Sequence, residues 1–236
     1  LAKGTGYELE LERVRADGGS KWVIARGEPI RDVNGDIVGL RGTAEDITQR
    51  KLIEEYFRHQ ARYDALTGVP NRVLFHDRLN QGINLARRDH RELALLSLDL
   101  DKFKSVNDSV GHLAGDELLK ITASRIRQTL RESDTVARVG GDEFTVILPR
   151  IASREDAAEV ATKIIDAVSV PCELRDSTQN PHQVAIGASI GIAIFPTDAD
   201  EADRLVEAAD AAMYSAKRTG KSFCFCGPRQ AKAPAG

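Results

Sequence analysis

The sequence predicts an α+β protein: a central antiparallel sheet flanked by helices, of the ferredoxin-like or polymerase-palm kind, preceded by a three-stranded segment and a connector helix. Three observations lead there. Residues 92–226 run strand, helix, hairpin, helix, strand, helix, strand, which contains the split β-α-β order. Residues 7–47 hold three extended stretches separated by turn chemistry. Residues 48–63 change to helical periodicity between the two.

In order, "YELELERVR" alternates, "ADGG" turns, "SKWVIARGEPI" extends, "DVNGD" turns again and "IVGLRGTAEDI" closes. Three strands of this length are too few to bury a substantial core. A helix over 48–63 follows, with Thr48 as its N-cap and Leu52, Ile53, Tyr56, Phe57 and Tyr63 as an apolar stripe. It reads either as a connector or as one strand of a short two-chain coiled coil. A helix after Asn71 places Phe75, Leu79, Ile83 and Ala86 on one face, and "ELALLSLDL" (92–100) is a strand. A helix over 115–131 follows through Leu119, Thr122, Ile126 and Leu130, then a hairpin over 135–148. The next helix turns Ala158, Ala161, Ile165 and Val168 inward, and residues 183–195 form one long strand. A helix over 202–217 faces inward with Leu205, Ala209, Ala212 and Ala216, before a last strand, "SFCFC". The tail, 227–236, is expected to be disordered.

Composition narrows the function. The 236 residues are 42% hydrophobic and 29% charged, with net charge −3, as in an ordinary globular protein. That balance disfavours a nucleic-acid polymer as partner, yet leaves open a nucleotide, which needs only a few local cations. The longest apolar run, 184–195, is too short and too β-branched to cross a bilayer. The chain starts at Leu1 with no signal peptide, so it reads as a fragment of a cytoplasmic protein. Cys172, Cys224 and Cys226 suggest neither a disulfide framework nor a zinc site.

The chemistry gathers at strand ends. In "RVGGDEFTVIL" (138–148) the Gly140-Gly141 pair reads as a tight turn needing positive φ, followed by the carboxylates Asp142 and Glu143. The pentapeptide alone is equally a solvated loop tip. Asp99 and Asp101 end the strand 92–100, and Asp99 could meet Asp142 at a neighbouring strand end. Two or three hard oxygen ligands there suit Mg²⁺; the plainer reading is that the aspartates begin a loop. Lys104, Lys217 and Lys221 would serve a triphosphate if they converge, though each alone is a common surface charge. Asn107 and Asp116 match guanine, whose N1–H and N2–H₂ donors suit a carboxylate; Asp116 is explained equally well by helix-dipole compensation.

Four stretches, "DALTGVPNR" (64–72), "DLDKFKSVND" with "GHLAGD" (99–116), "RESDTVARVGGDEF" (131–144) and "DAAMYSAKRTGK" (210–221), together resemble the GGDEF diguanylate cyclases. The likeness covers roughly residues 60–226 in the right order and spacing. Residues 7–47, closing in "GTAEDIT", look like the C-terminal (PAC) strands of a PAS domain, without its first half. The domains expected are therefore 1–47, a partial PAS segment; 48–63, a signalling helix; 64–226, a GGDEF cyclase; and the tail.

The resemblance implies a residue-by-residue assignment. Asp99 and Asp142, with the Leu100 carbonyl, would hold two Mg²⁺ ions per half-site, Mn²⁺ being an alternative. Asn107 and Asp116 would read guanine. Lys104, Lys217 and Lys221, with the backbone of Lys102 and Phe103, would hold phosphates. Glu143 would help deprotonate the ribose 3′-OH, and Gly140 and Gly141 would let the nucleotide approach the backbone. The implied reaction joins two GTP into cyclic di-GMP by two-metal phosphoryl transfer. One site per chain then requires a homodimer. Arg131 and Asp134 match the family's R-x-x-D site for inhibition by the product. Val110 and Ser222 depart from the family pattern without removing a contact. The competing reading is a catalytically silent module that binds GTP or cyclic di-GMP.

Overall fold

The computed structural model describes residues 5–14 and 18–227. Residues 16–17 of the first expected turn and 228–236 of the expected tail lie outside the described residues. The chain divides into two compact units, Leu1–Ala61 and Arg62–Gly236.

In the first unit β1 (Tyr7–Val14), β2 (Ser20–Arg31) and β3 (Ile37–Asp46) form an antiparallel meander. Gly42 is needed in β3, because a Cβ there would lie 2.5 Å from the Arg26 carbonyl oxygen. Ile24 and Ile47 are this unit's buried hydrophobic residues, as expected of so small a sheet. α1 (Thr48–Gln60) begins one position earlier than a Thr48 cap would place it. Ile47 occupies the N-cap position, and the Thr48 hydroxyl instead accepts from the Trp22 amide at 2.9 Å. The Asp46 carboxylate takes the Thr48 amide at 3.0 Å, so capping comes from the preceding strand. α1 buries none of its residues; Leu52, Ile53, Tyr56 and Phe57 are 53–64% exposed. Tyr63 falls beyond the helix, where it bridges Pro70 in the second unit.

The second unit is built on a five-stranded sheet, order β10-β9-β4-β6-β5. Its members are β4 (Glu92–Asp101), β5 (Thr135–Arg138), β6 (Glu143–Ile151), β9 (Gly187–Phe195) and β10 (Phe223–Phe225). The first four are antiparallel in the ferredoxin-like arrangement, and β10 adds in parallel beside β9. α6 (Ala202–Thr219) makes the crossover that a parallel pair requires. Both faces of β4 are covered, which explains its nearly unbroken apolar run. On one face, α4 (His112–Thr129) and α5 (Arg154–Ser169) pack on Leu96, Leu98 and Phe144. On the other, α2 (Arg72–Asp89) and α6 pack on Leu93, Leu95 and Ala193. Asn71 caps α2 by accepting from the Val73 and Leu74 amides.

Four expectations change. The stretch after Asp101 is not irregular: it forms α3 (Phe103–Val110), with Phe103, Val106 and Val110 packed on the core. Its Asp, Ser and Asn content lowered the apparent helix propensity. α4 begins at His112, so Asp116 lies beyond its first turn and dipole compensation loses force. α5 buries Ala161 and Val168 as expected, but with them Ala157 and Ile164, while Ala158 and Ile165 are half-buried, one position off at alternate turns. The stretch 183–195 is not one strand. β7 (Cys172–Arg175) pairs with β8 (Pro181–Val184) in a separate hairpin, and the central strand begins only at Gly187.

Candidate active site at the β4–β6 sheet edge

β4 and β6 are in a register that sets Asp99 opposite Glu143, and on β4's other side Asp99 opposes Ser189. Directly paired residues share a sheet face. The Leu100 amide donates to the Asp142 carbonyl at 3.3 Å, fixing the chain just before β6 against the end of β4. Asp99, Asp142 and Glu143 are thus brought to one sheet edge by strand pairing, across more than forty positions of sequence.

The turn that carries Asp142 is held from outside. Arg138 donates through Nε and Nη2 to the Gly141 carbonyl at 3.0 and 2.7 Å, and through Nη1 to both Asp64 oxygens. Arg72 Nε donates to the Val139 carbonyl at 3.3 Å. Burial pushes the Asp64 carboxyl up, but hydrogen bonds from Thr67 and Arg138 outweigh it and hold its pKa below the usual range. Neither Gly140 nor Gly141 has the positive φ expected of them. A Cβ at Gly140 would lie 2.4 Å from Glu143 Oε2, so the glycine leaves that carboxylate its present place. Gly141 faces open space, with nothing within 4 Å of its Cβ position.

Lys217, near the end of α6, donates to Asp99 Oδ1 at 2.6 Å. That hydrogen bond raises the lysine pKa; burial opposes it, and the charges of Asp99, Asp101 and Asp142 add to the rise. Asp101 accepts from Ser189 Oγ at 2.8 Å. Lys104 and Lys221 are exposed and form no ion pair among the described residues. Lys102 sits at the N-cap of α3 with φ +61°, so the first amides of α3, at Phe103 and Lys104, begin the helix. Such amides are anion donors.

Asn107 lies on α3, and Asp116 on α4 directly follows Gly115. A Cβ at Gly115 would come 1.9 Å from Asn107 Oδ1, so the glycine leaves the amide its place. Away from this edge, the Arg131 amide donates to Asp134 Oδ2 at 3.0 Å. Both residues border a 460 Å³ cleft that also includes Arg78 and Arg127. Arg78 donates to Thr135 Oγ1 at 3.0 Å. Arg78, Arg127, Arg138 and Gly115 carried no role in the sequence reading. Gly115 stood within the quoted "GHLAGD", but Arg78 and Arg127 come to one cleft, and Arg138 to Asp64, only through folding.

Among the described residues no three His, Cys, Asp or Glu side chains form a ready metal cluster. The donor set at the edge is two or three carboxylates with a backbone carbonyl, the set a hard cation takes when phosphate oxygens complete its shell.

Comparison with known proteins identifies the family. Residues 61–222 match the family described as "Diguanylate cyclase, GGDEF domain", and residues 1–44 match "PAS fold". Diguanylate cyclase TpbB of Pseudomonas aeruginosa is 45% identical over 163 residues, 69% of this chain and 37% of that protein. MucR of the same organism, a bifunctional diguanylate cyclase/cyclic di-GMP phosphodiesterase, is 48% identical over 168 residues, 70% of this chain and 23% of MucR. The chain thus spans 23–37% of the length of these curated relatives. Among solved structures, the GGDEF domain of TpbB aligns with TM-score 0.65 at 43% identity, over 70% of this chain and 94% of that one. The coiled coil and GGDEF domain of Caulobacter crescentus DgcB, in complex with c-di-GMP, aligns with TM-score 0.68 at 31% identity, over 76% and 93%.

Proposed function

The chain belongs to the GGDEF-domain diguanylate cyclases, and from that premise we propose that it condenses two GTP into cyclic di-GMP and two pyrophosphates. The observation that carries the reading is the pairing of Asp99 with Glu143, beside Asp142 and under Lys217. These are acidic groups and a cation concentrated at one strand end, where a triphosphate has both metal and ammonium partners.

Asp99, Asp142 and the Leu100 carbonyl fit Mg²⁺, or Mn²⁺ in its stead. When bound, two such ions supply charge neutralisation at the triphosphate and favour ionisation of the attacking hydroxyl. The remaining work belongs to the chain. Asp116 would accept from guanine N1–H and N2–H₂ while the Asn107 amide bonds O6 or N3, a pairing adenine cannot satisfy. The amides at the start of α3, with Lys104, Lys217 and Lys221, hold phosphate oxygens. Glu143 would take the 3′-OH proton as the oxygen attacks the α-phosphorus of the other nucleotide and pyrophosphate leaves. Positioning and electrostatics provide most of the acceleration.

One nucleotide site per chain leaves each 3′-OH without its acceptor until a second copy faces it. A homodimer follows, and the exposed apolar stripe of α1 is the surface that would bring the copies together. The cleft at Arg131 and Asp134 would take the product as inhibitor, with Arg78 and Arg127 adding cations. The proposed organisation is 1–47 as a partial PAS segment, 48–63 as the signalling helix and 64–226 as the cyclase, in a cytoplasmic setting. No described helix is long and apolar enough to cross a membrane.

The test is direct. Incubation with GTP and Mg²⁺ should release pyrophosphate and cyclic dinucleotide together. GTP binding without turnover, at concentrations where the chain dimerises, would replace the enzyme with a regulatory module.

A further inference from the structure

α6 meets β4 through two polar contacts, and only one has a part in the reaction proposed above. Lys217 reaches Asp99 at 2.6 Å; deeper under the sheet edge, Ser97 Oγ donates to Asp210 Oδ1 at 2.5 Å. Ser97 and Asp99 are two residues apart on a strand, so they share a face about 7 Å apart. Asp210 and Lys217 are seven apart, two helical turns, or about 10 Å along one stripe.

The apolar contacts of α6 fix its axial position poorly. Three of its four buried residues are alanines. The helix also lies against Gly191, where a Cβ would come 2.0 Å from the Ala209 carbonyl oxygen and 2.1 Å from the Met213 amide nitrogen. Small, smooth surfaces permit close approach but offer few ridges against sliding. A directional hydrogen bond at a buried hydroxyl does resist it, and Ser97 is 4% exposed. Thr145, paired with Ser97 across the sheet, is 3% exposed, and its hydroxyl has no partner among the described residues. β6, which carries Thr145, packs with α2, and Asp210 engages the hydroxyl on β4, the strand that α6 covers. The contact specifies a register.

We infer that Asp210 is a positioning residue for the nucleotide site: its bond with Ser97 sets α6 on β4 and so sets where Lys217 stands relative to Asp99. For its kinetic consequence the inference rests on the cyclase reading. Lys217 occupies a carboxylate that a cation needs, so loading the nucleotide requires the ammonium to exchange Asp99 for phosphate. During that exchange α6 loses one attachment, and Asp210–Ser97 keeps the lysine within reach.

The test uses the full chain and two readouts: steady-state turnover, and acylation of Lys217 by an amine-reactive reagent, measured by peptide mass spectrometry against Lys120. Asp210→Ala should lower kcat by roughly tenfold or more, with less effect on KM, as a displaced catalytic group does. It should also raise Lys217 labelling severalfold. Ser97→Ala should reproduce both effects, and serves alone if Asp210→Ala does not fold; the double variant should be no worse than either single one. Asp210→Asn, which can still bond the serine hydroxyl, should remain near wild type. Leu205→Ala loosens the apolar side of α6; it should lower the thermal midpoint while leaving both readouts unchanged at a temperature where it is folded. Wild-type values in Asp210→Ala, or the same losses in Leu205→Ala, overturn the inference. If the wild-type chain makes no cyclic dinucleotide, the cyclase reading fails and labelling decides: a rise in Asp210→Ala upholds the register, and no rise overturns it.

Discussion

Arg138 and Asp64 lie 74 positions apart and meet through two hydrogen bonds, at 3.0 and 3.2 Å, while the same guanidinium holds the Gly141 carbonyl. The "DALTGVPNR" segment is thereby tied to the turn that presents Asp142. Both side chains are largely shielded, so Arg138→Ala should cost about 1–3 kcal/mol in chemical denaturation, the range for a charged group left unpaired. Arg138→Lys should recover little, because an ammonium cannot reproduce a fork with several fixed donors. Turnover unaffected by Arg138→Ala would show that the turn holds its shape unaided.

The same pair gives a pH prediction. The Asp64 pKa is lowered in the folded state, so its ionised form contributes stability above the unfolded value, about 3.9. That contribution disappears as pH falls from there through the lower folded value. Asp64→Asn should therefore flatten the acid limb of a stability-versus-pH curve below about pH 4. An unchanged limb would assign acid sensitivity to other carboxylates.

Gly115→Ala places a methyl where Asn107 Oδ1 now lies. The amide must move, and guanine recognition should weaken by about 1–3 kcal/mol, about five- to 150-fold in KM, as for one lost hydrogen-bonding partner. Comparing GTP with inosine triphosphate, which lacks the exocyclic amine, measures the selectivity. Asp116→Asn should narrow the same ratio.

Asp142→Ala removes a carboxylate from the strand edge and should reduce product formation by at least about a hundredfold, the scale of losing a key electrostatic group. Circular dichroism should remain that of the folded chain, since Asp142 lies in a turn outside β6. Full activity in this variant would remove the metal role from the site.

Arg131→Ala should leave initial rates intact and relieve inhibition by added cyclic di-GMP. Arg78→Ala and Arg127→Ala should relieve it in part if the cleft they share with Arg131 takes the product. Isothermal titration with cyclic di-GMP reads the binding directly.

Ile53→Glu with Phe57→Glu puts charge on the exposed stripe of α1. Activity should fall most at low protein concentration, and sedimentation should show fewer dimers. A rate strictly first order in protein at high dilution, in the wild-type chain, would refute assembly as a requirement.

Much of this protein was legible before folding. The inward face of α6, Leu205, Ala209, Ala212 and Ala216, is legible residue for residue, and that of α2 through Phe75, Leu79, Ile83 and Ala86, with Leu74 buried in addition, because both keep a helical period. In α5 Ala161 and Val168 face inward as expected, but Ala157 and Ile164 take the places expected of Ala158 and Ile165, since alanines and isoleucines follow one another there and the period is ambiguous. α3 was hidden by polar residues that prefer caps and turns, although Phe103, Val106 and Val110 carried its spacing. The β7–β8 hairpin escapes the sequence because its strands, "CELR" and "PHQV", are four residues long and half polar, leaving too little apolar alternation to mark them.

The sequence by itself determined the kind of sheet, the helices that cover it and the residue types that a guanine nucleotide and its metals would need, since periodicity and local motifs are written along the chain. Tertiary structure alone decided that Glu143 faces Asp99, that Lys217 closes on the same carboxylate, that Arg138 joins Asp64 to the turn and that Asp210 selects Ser97. These contacts depend on strand register and on where a helix settles across a sheet. Both are fixed by the packing of the whole core, which no short stretch of residues contains.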